Sequence, residues 1–263
     1  IRTYHYTNNA HHKNGFSVRA LLLAAGLGKR LRPITNTIPK CLVPIHGIPL
    51  LEIWLAQIFH SGVTRVVINL HYLPDPVKNY IEKSQWRAQI DLFNEPVLLG
   101  TGGTLSATRE LLGDGPILVV HADNLSSINL RAFYKAHKNR PKNCFMTMAL
   151  FYTDTPQCCG IVELDQKNRV TLMHEKTEKP HGRLANAAIY IFESHCLEKI
   201  PAMAGYEIDI STQIIPKFLG CIYSYEIKEY HRDIGSQSAL SQAHQDMTHS
   251  QVIALMAPSE KAV

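Results

Sequence analysis

Short apolar, β-branched runs alternate along this chain with stretches of helical periodicity. Strand-like runs fall at Ala20–Ala25, Arg65–Leu70, Ile90–Asn94, Ile117–His121, Cys144–Tyr152, Gly160–Leu164, Val170–His174, Ala187–Phe192 and Ile222–Ile227. Helical spacing fits Leu50–His60, Pro74–Glu82, Gly103–Leu112, Leu130–His137, Asp209–Phe218 and Ser236–His244. In the first of these, Leu51, Trp54, Leu55 and Ile58 recur at i, i+3, i+4 and i+7, the buried stripe of an amphipathic helix. Strand–helix alternation up to residue 140 predicts an α/β fold, a mostly parallel sheet with helices on both faces. Beyond residue 140 the strands crowd together, which predicts a small antiparallel layer before the closing helices. One domain is expected over 19–245, with an N-terminal arm at 1–18 and a patternless C-terminal tail at 246–263.

Composition narrows the partners. With 45% hydrophobic and 19% charged residues the chain of 263 residues reads as an ordinary soluble protein. No apolar run approaches the ~18 residues that a bilayer span needs, so membrane insertion is not expected. The polar, His-rich opening residues show no signal-peptide core. A net charge of +5 is too small to imply nucleic acid as a partner. Six cysteines without a Cys-x-x-Cys pair predict free thiols and a cytoplasmic location.

The chemistry begins where the first strand ends. Ala20-Leu-Leu-Leu-Ala-Ala-Gly-Leu-Gly-Lys-Arg-Leu-Arg-Pro33 joins an apolar strand to a turn with glycines at 26 and 28. Such a turn can aim successive N–H groups at phosphate, and Lys29, Arg30, Arg32 and Lys40 crowd positive charge beside it. A dinucleotide fingerprint would need glycine where Leu31 stands. A Walker A loop would need glycine and a hydroxyl residue where Ala24 and Arg30 stand. Pro33, Pro39 and Pro44 keep the following loop out of helix and predict an extended, stiff segment that points Lys40 back toward Arg30.

Gly26, Gly28, Arg30, Leu31, Pro33, Thr35, Pro39, Lys40, Leu42 and Pro44 stand in the pattern Gly-x-Gly-x-Arg-Leu-x-Pro-x-Thr, Pro-Lys and Leu-x-Pro. In this the chain resembles the sugar-1-phosphate nucleotidyltransferases, and the resemblance runs to about residue 243. It implies a Rossmann-like, three-layer nucleotidyltransferase fold. It also implies nucleotide contacts from Leu23, Ala24, Ala25, Gly26 and Gly28, and catalytic roles for Arg30 and Lys40. Glu95-Pro-Val-Leu-Leu-Gly-Thr-Gly-Gly-Thr104 looks like the family's second glycine loop, with Gly100, Thr101 and Gly102 as nucleotide contacts. Its other reading is a plain helix N-terminus capped by a hydroxyl. Asn69 lies where relatives recognise the base.

Asp123 ends a buried strand at the sheet edge where α/β folds bind ligands. In the family this acid binds Mg²⁺ and nucleotide, and a second one, in an Asp-Ile-Gly step, corresponds to Asp233. Only the resemblance pairs these two carboxylates. Mg²⁺ suits such a set, because one or two carboxylates plus substrate phosphates complete its octahedron. Of two Glu-Lys pairs, Glu175-Lys176 is placed better than Glu178-Lys179, because Lys176 lies ten residues before Asn186 of the family's Asn-Ala-Gly-x-Tyr strand. Ala188 stands in place of that strand's glycine. The resemblance thus implies a catalytic-pocket lysine in Lys176 and sugar contacts from Gly160, Glu175 and Asn186. Asp209 is either a further sugar contact or the N-cap of the helix after it.

The implied reaction joins a nucleoside triphosphate to a sugar 1-phosphate and releases pyrophosphate. The attacking phosphate oxygen is already anionic, so alignment and charge stabilisation, not a general base, must supply the catalysis. The closest likeness is to short mannose- or heptose-1-phosphate guanylyltransferases without an added C-terminal domain, which favours GTP; thymidylyl and uridylyl transfer are the alternatives. A silent nucleotide-sugar-binding paralogue would have lost an arginine, lysine or carboxylate that this chain keeps. Homo-oligomers are compatible with all of these.

Overall fold

The computed structural model describes residues 18–199 and 207–258. All of the expected N-terminal arm except Val18 lies outside the described residues. Nine strands form one twisted sheet. In chain order they are β1 (Arg19–Leu23), β2 (Arg65–Leu70), β3 (Ile90–Asn94), β4 (Pro116–His121), β5 (Met146–Tyr152), β6 (Gly160–Leu164), β7 (Arg169–Glu175), β8 (Leu184–Glu193) and β9 (Ile222–Glu226). Their spatial order is β3-β2-β1-β4-β8-β5-β9-β7-β6. The first four are mutually parallel, in a register that sets Leu23 beside both Asn69 and His121. Everything that follows those three residues therefore emerges at one edge of the sheet.

The crowded strands after residue 140 supply the expected antiparallel part by extending this same sheet. β8 runs antiparallel to β4 and β5, β7 antiparallel to β9 and β6, while β9 and β5 are parallel. A separate two-stranded ribbon pairs Asn124–Ser126 with His231–Asp233 and sets Asp233 opposite Asn124. That pairing joins segments far apart in sequence and no local pattern announces it.

Alternation along each strand fills two cores. Leu22, Ile68, Val120 and Ile189 pack with Trp54, Ile58 and Phe133 on one face. Leu21, Val67, Val119 and Tyr190 pack with Leu105 and Ile214 on the other. The predicted Leu51/Trp54/Leu55/Ile58 stripe is buried throughout. Trp54 also donates its indole N–H to the Asn124 carbonyl at 2.7 Å, which ties the ribbon beside Asp123 to the core.

Three elements differ from expectation. The helix predicted over 103–112 begins at Gly100, breaks after Ala107 and resumes at Arg109–Leu112. The segment after Asp209 opens as a π-turn over Ile210–Ile214 before its α-turn Ile215–Phe218, since Pro216 has no N–H for a regular i→i−4 bond. In the expected tail, His249–Met256 forms a helix with a Thr248/Gln251 capping box. Val252, its one buried residue, reaches the cluster of Leu50, Ile53 and Ile234, and Leu255 and Met256 at i+3 and i+4 pack beside it, a stripe confined to a single turn.

Candidate active site

The first glycine turn is held from below. The Ala24 N–H donates to Asn69 Oδ1 at 2.7 Å, and Thr35 Oγ1 donates to the Gly28 carbonyl at 2.7 Å. Gly28 has φ 60°, and a Cβ there would lie 2.8 Å from the Thr35 methyl, so glycine is required by both backbone and space. At Gly26 a Cβ would meet nothing within 4 Å: the turn is open toward a cavity of about 310 Å³. Leu23, Ala24, Ala25 and Gly26 line that cavity together with Gly100, Thr101 and Asp209. The proline-spaced loop is not extended as expected. It winds through 3-10 turns at Lys29–Leu31, Ile34–Asn36 and Lys40–Leu42, because proline forbids continued α-helix but tolerates a single turn.

That winding buries Lys40, whose side chain is 9% exposed. Its ammonium forms an ion pair with Asp123 and lies 3.5 Å from Asp233 Oδ1, while Arg30 Nη2 lies 3.7 Å from Asp233 Oδ2. The two acids therefore do meet, and the ribbon is the reason: the Ile234 N–H also donates to the Asp123 carbonyl at 3.1 Å. Gly235 belongs to the same construction, since a Cβ there would sit 2.7 Å from both Arg30 Nη2 and Asp233 Oδ2. Burial opposes charge on Asp123, but Lys40 with His121 and the hydrogen bonds outweighs it and holds the carboxyl below its ordinary range. Asp233 goes the other way. Burial and repulsion from Asp123 raise it against the pull of Lys40 and Arg30. One side of the cluster is thus anchored and the other electrostatically adjustable.

A second cavity, of about 510 Å³, opens on the far side of these charges and shares His121, Asp123 and Asp209 with the first. Gly160, Glu175, Lys176 and Asn186 line it, whereas Lys179 does not. Gly160 lies opposite Glu175 in the β6–β7 register, and a Cβ on it would come 2.6 Å from Glu175 Oε2. Lys176 has φ 45° and its ammonium stands 3.4 Å from Glu175 Oε1, with 66% of its side chain exposed to the cavity mouth. Asn186 Nδ2 donates to the Tyr190 hydroxyl at 2.8 Å, and its Oδ1 accepts from the Ala188 N–H at 2.9 Å across a bulge in β8. Ala188 itself has φ 54°, the conformation in which glycine costs least.

Three of the expected contacts are occupied by the protein itself. Asn69 is 3% exposed, and besides accepting from Ala24 it donates to Glu95 Oε1 at 2.8 Å and Thr104 Oγ1 at 3.2 Å. What Asn69 does here is position the glycine turn. Gly102 donates its N–H to the Ile208 carbonyl at 2.7 Å, and its Cβ position is filled by Ile214 and Ile208, so this glycine serves close packing. Thr101 Oγ1 donates to Asp209 Oδ2 at 3.0 Å, while Asp209 Oδ1 accepts from the Thr212 N–H at 2.9 Å. Asp209 is therefore the N-cap of the segment after it, and it also borders both cavities.

Sequence reasoning missed Glu95, His121 and His231. Glu95 is 2% exposed and joins Asn69, Thr104 and the Leu99 N–H at 3.1 Å, locking the two glycine loops together. Its position at the head of the second glycine motif was the available signal. Burial pushes the His121 imidazole below its ordinary pKa and that of His231 down to about 3, in both cases against the attraction of Asp123.

Residues 19–250 match the Nucleotidyl transferase family. The chain belongs to it. As a nucleotidyl transferase it is 31% identical over 224 residues to the mannose-1-phosphate guanylyltransferase of Mycobacterium tuberculosis, covering 83% of this chain and 61% of that one. It is 29% identical to a putative mannose-1-phosphate guanyltransferase of Sulfolobus acidocaldarius, over 83% of this chain and 60% of the relative. The chain thus spans about 60% of the length of these curated relatives. Among solved structures, HddC from Yersinia pseudotuberculosis superposes with a TM-score of 0.74 at 22% identity, covering 88% of this chain and 99% of that one. A putative glucose-1-phosphate thymidylyltransferase from Bacillus anthracis gives 0.79 at 19%, over 90% and 99%. These two show that the fold is a Rossmann-like nucleotidyltransferase fold. No described helix is long and apolar enough to cross a membrane.

Among the described residues, no three His, Cys, Asp or Glu side chains form a ready-made metal cage. Two converging carboxylates beside an open cavity nevertheless fit a hexacoordinate cation that takes its remaining oxygens from phosphates and water.

Proposed function

We propose that this nucleotidyl transferase moves a nucleotidyl group from a nucleoside triphosphate to a sugar 1-phosphate, with GTP and a mannose- or heptose-type 1-phosphate as its substrates. The observation that carries the reading is the meeting of Arg30, Lys40, Asp123 and Asp233 on the partition between two cavities. Two polyanions must be brought together there, and a partition that carries both signs of charge is what such an encounter requires. The triphosphate would lie along Leu23–Gly26 and Gly100–Thr101, the sugar along Gly160, Glu175 and Asn186.

Asp123 and Asp233 would hold Mg²⁺, which when bound supplies neutralisation of phosphate charge. Lys40 would give up part of its ion pairing to the triphosphate, and Arg30, 69% exposed, is free to swing onto the departing pyrophosphate. Lys176 would steady the attacking sugar phosphate, with Glu175 holding the lysine in place. GTP is favoured by the guanylyltransferase relatives. A uridylyl reading has one specific support, a Synechocystis UTP–glucose-1-phosphate uridylyltransferase 28% identical over 218 residues.

The deciding assay incubates the chain with Mg²⁺, each of four nucleoside triphosphates and a panel of sugar 1-phosphates, and follows pyrophosphate. Release with GTP and mannose or heptose 1-phosphate is expected. Release only with UTP or dTTP would reassign the base, and none with any pair would overturn the transferase reading.

A further inference from the structure

Two histidines stand two positions before the two acids. His121 ends β4 two positions before Asp123, and His231 opens its ribbon strand two positions before Asp233. Both rings line the cavity of about 510 Å³ on the Gly160 side, and His121 borders the smaller cavity as well. Their contacts are aromatic: His231 lies 4.4 Å from the Phe151 ring and His121 lies 6.4 Å from that of Tyr190. His121 Nε2 and His231 Nδ1 are buried and have no hydrogen-bond partner among the described residues. Buried polar atoms are almost always paired, so unmatched imidazole nitrogens in two residues that border one cavity call for a partner that enters with the ligand.

We propose that His121 and His231 recognise hydroxyl groups of the sugar in the sugar 1-phosphate, an inference that rests on the transferase reading above. A neutral imidazole carries one donor and one acceptor, and a sugar hydroxyl answers both. A phosphate oxygen offers acceptors alone, and Lys176 stands on this side to meet it. Such a pair would make the affinity depend on the sugar rather than on its phosphate. Each lost hydrogen bond should weaken binding by roughly three- to ten-fold.

Calorimetric titration of the full chain with Mg²⁺ tests this, using mannose 1-phosphate, inorganic phosphate and GTP as separate probes. His231→Phe keeps the aromatic contact with Phe151 and removes both nitrogens; His121→Leu removes both nitrogens of the second ring and leaves an apolar side chain in its place. In each folded variant the Kd for mannose 1-phosphate should rise three- to ten-fold, with those for inorganic phosphate and GTP within two-fold of wild type. His231→Gln, which restores a donor and an acceptor, should recover most of the loss. Unchanged affinity for the sugar phosphate in both variants, or an equal loss for inorganic phosphate, overturns the inference. If the wild-type chain binds mannose 1-phosphate but releases no pyrophosphate with any triphosphate, the transferase reading fails and the recognition role survives. If it binds no sugar 1-phosphate at all, both fall.

Discussion

Each end of the sheet carries a cluster of charged side chains, and the two clusters are finished differently. At the end where β1 and β4 stop, Lys40, Asp123, Asp233 and Arg30 share their charges across 3.5–3.7 Å separations, beside two cavities. At the opposite end, Glu193 of β8 accepts from Arg140 and, at 3.2 Å, from His137, whose other nitrogen meets Thr147 Oγ1 at 2.8 Å. That second cluster is closed: both nitrogens of His137 have a partner, Glu193 Oε1 takes two donors, and the His137 side chain is fully buried. The contrast separates charge that holds the fold from charge left open for a ligand.

Removing one acid from each end should give opposite outcomes. Asp123→Asn is expected to lower turnover by about 1000-fold, the scale of losing one preorganised electrostatic contact to a transition state, with thermal stability close to wild type. A variant that retains turnover would remove the site from this end of the sheet. Glu193→Ala is expected to cost about 3 kcal/mol by leaving Arg140 without its carboxylate and one His137 nitrogen without a partner, with kcat unaltered. Urea unfolding read beside kinetics checks it, and a loss of kcat at full stability would erase the distinction between the ends.

The closed end also has a pH signature. Burial first, then the nearby Arg140, pushes His137 down to about 4 against Glu193, so it is neutral in the folded chain and basic in the unfolded one. Its folded pKa lies below the unfolded value of ~6.5, so the unfolded state binds more protons between the two values and stability falls as pH drops through that window. From this group alone, unfolding at pH 5 should require about 2 kcal/mol less than at pH 7. His137→Gln should flatten that slope, and an unchanged slope would show that His137 is not its source.

The smallest expected effect sharpens the picture at the wall of the larger cavity. Ala188 sits at φ 54° in the β8 bulge, so Ala188→Gly should stabilise the chain by about 1 kcal/mol. A melting temperature that falls would mean that the Ala188 methyl contributes more by packing than its backbone strain costs.

Much of the frame was legible in the sequence. All nine main-sheet strands, the stripe of the first helix, and the glycine turn with its cations follow from residues within a few positions of one another. Resemblance then marked Arg30, Lys40, Asp123 and Asp233, and the structure brings these four together. Asn69 and Gly102 show where such reading stops. Asn69 borders the cavity of about 310 Å³ and Gly102 does not, and the polar groups of both are taken by Ala24, Glu95 and Ile208.

Periodicity, turn glycines and proline spacing are local physics, so the chain's own order determines where elements start, which faces they bury and which segments can approach phosphate. Whether a polar atom is satisfied or left for a ligand depends on partners brought in by folding. Lys40 meets Asp233 across 193 residues, Asn69 meets Ala24 across 45, and the ribbon that unites the acids pairs residues 124–126 with 231–233. Only the tertiary structure could decide which hydrogen bonds close and which remain open, because burial withdraws water from every polar group at once and leaves the geometry of distant neighbours to replace it.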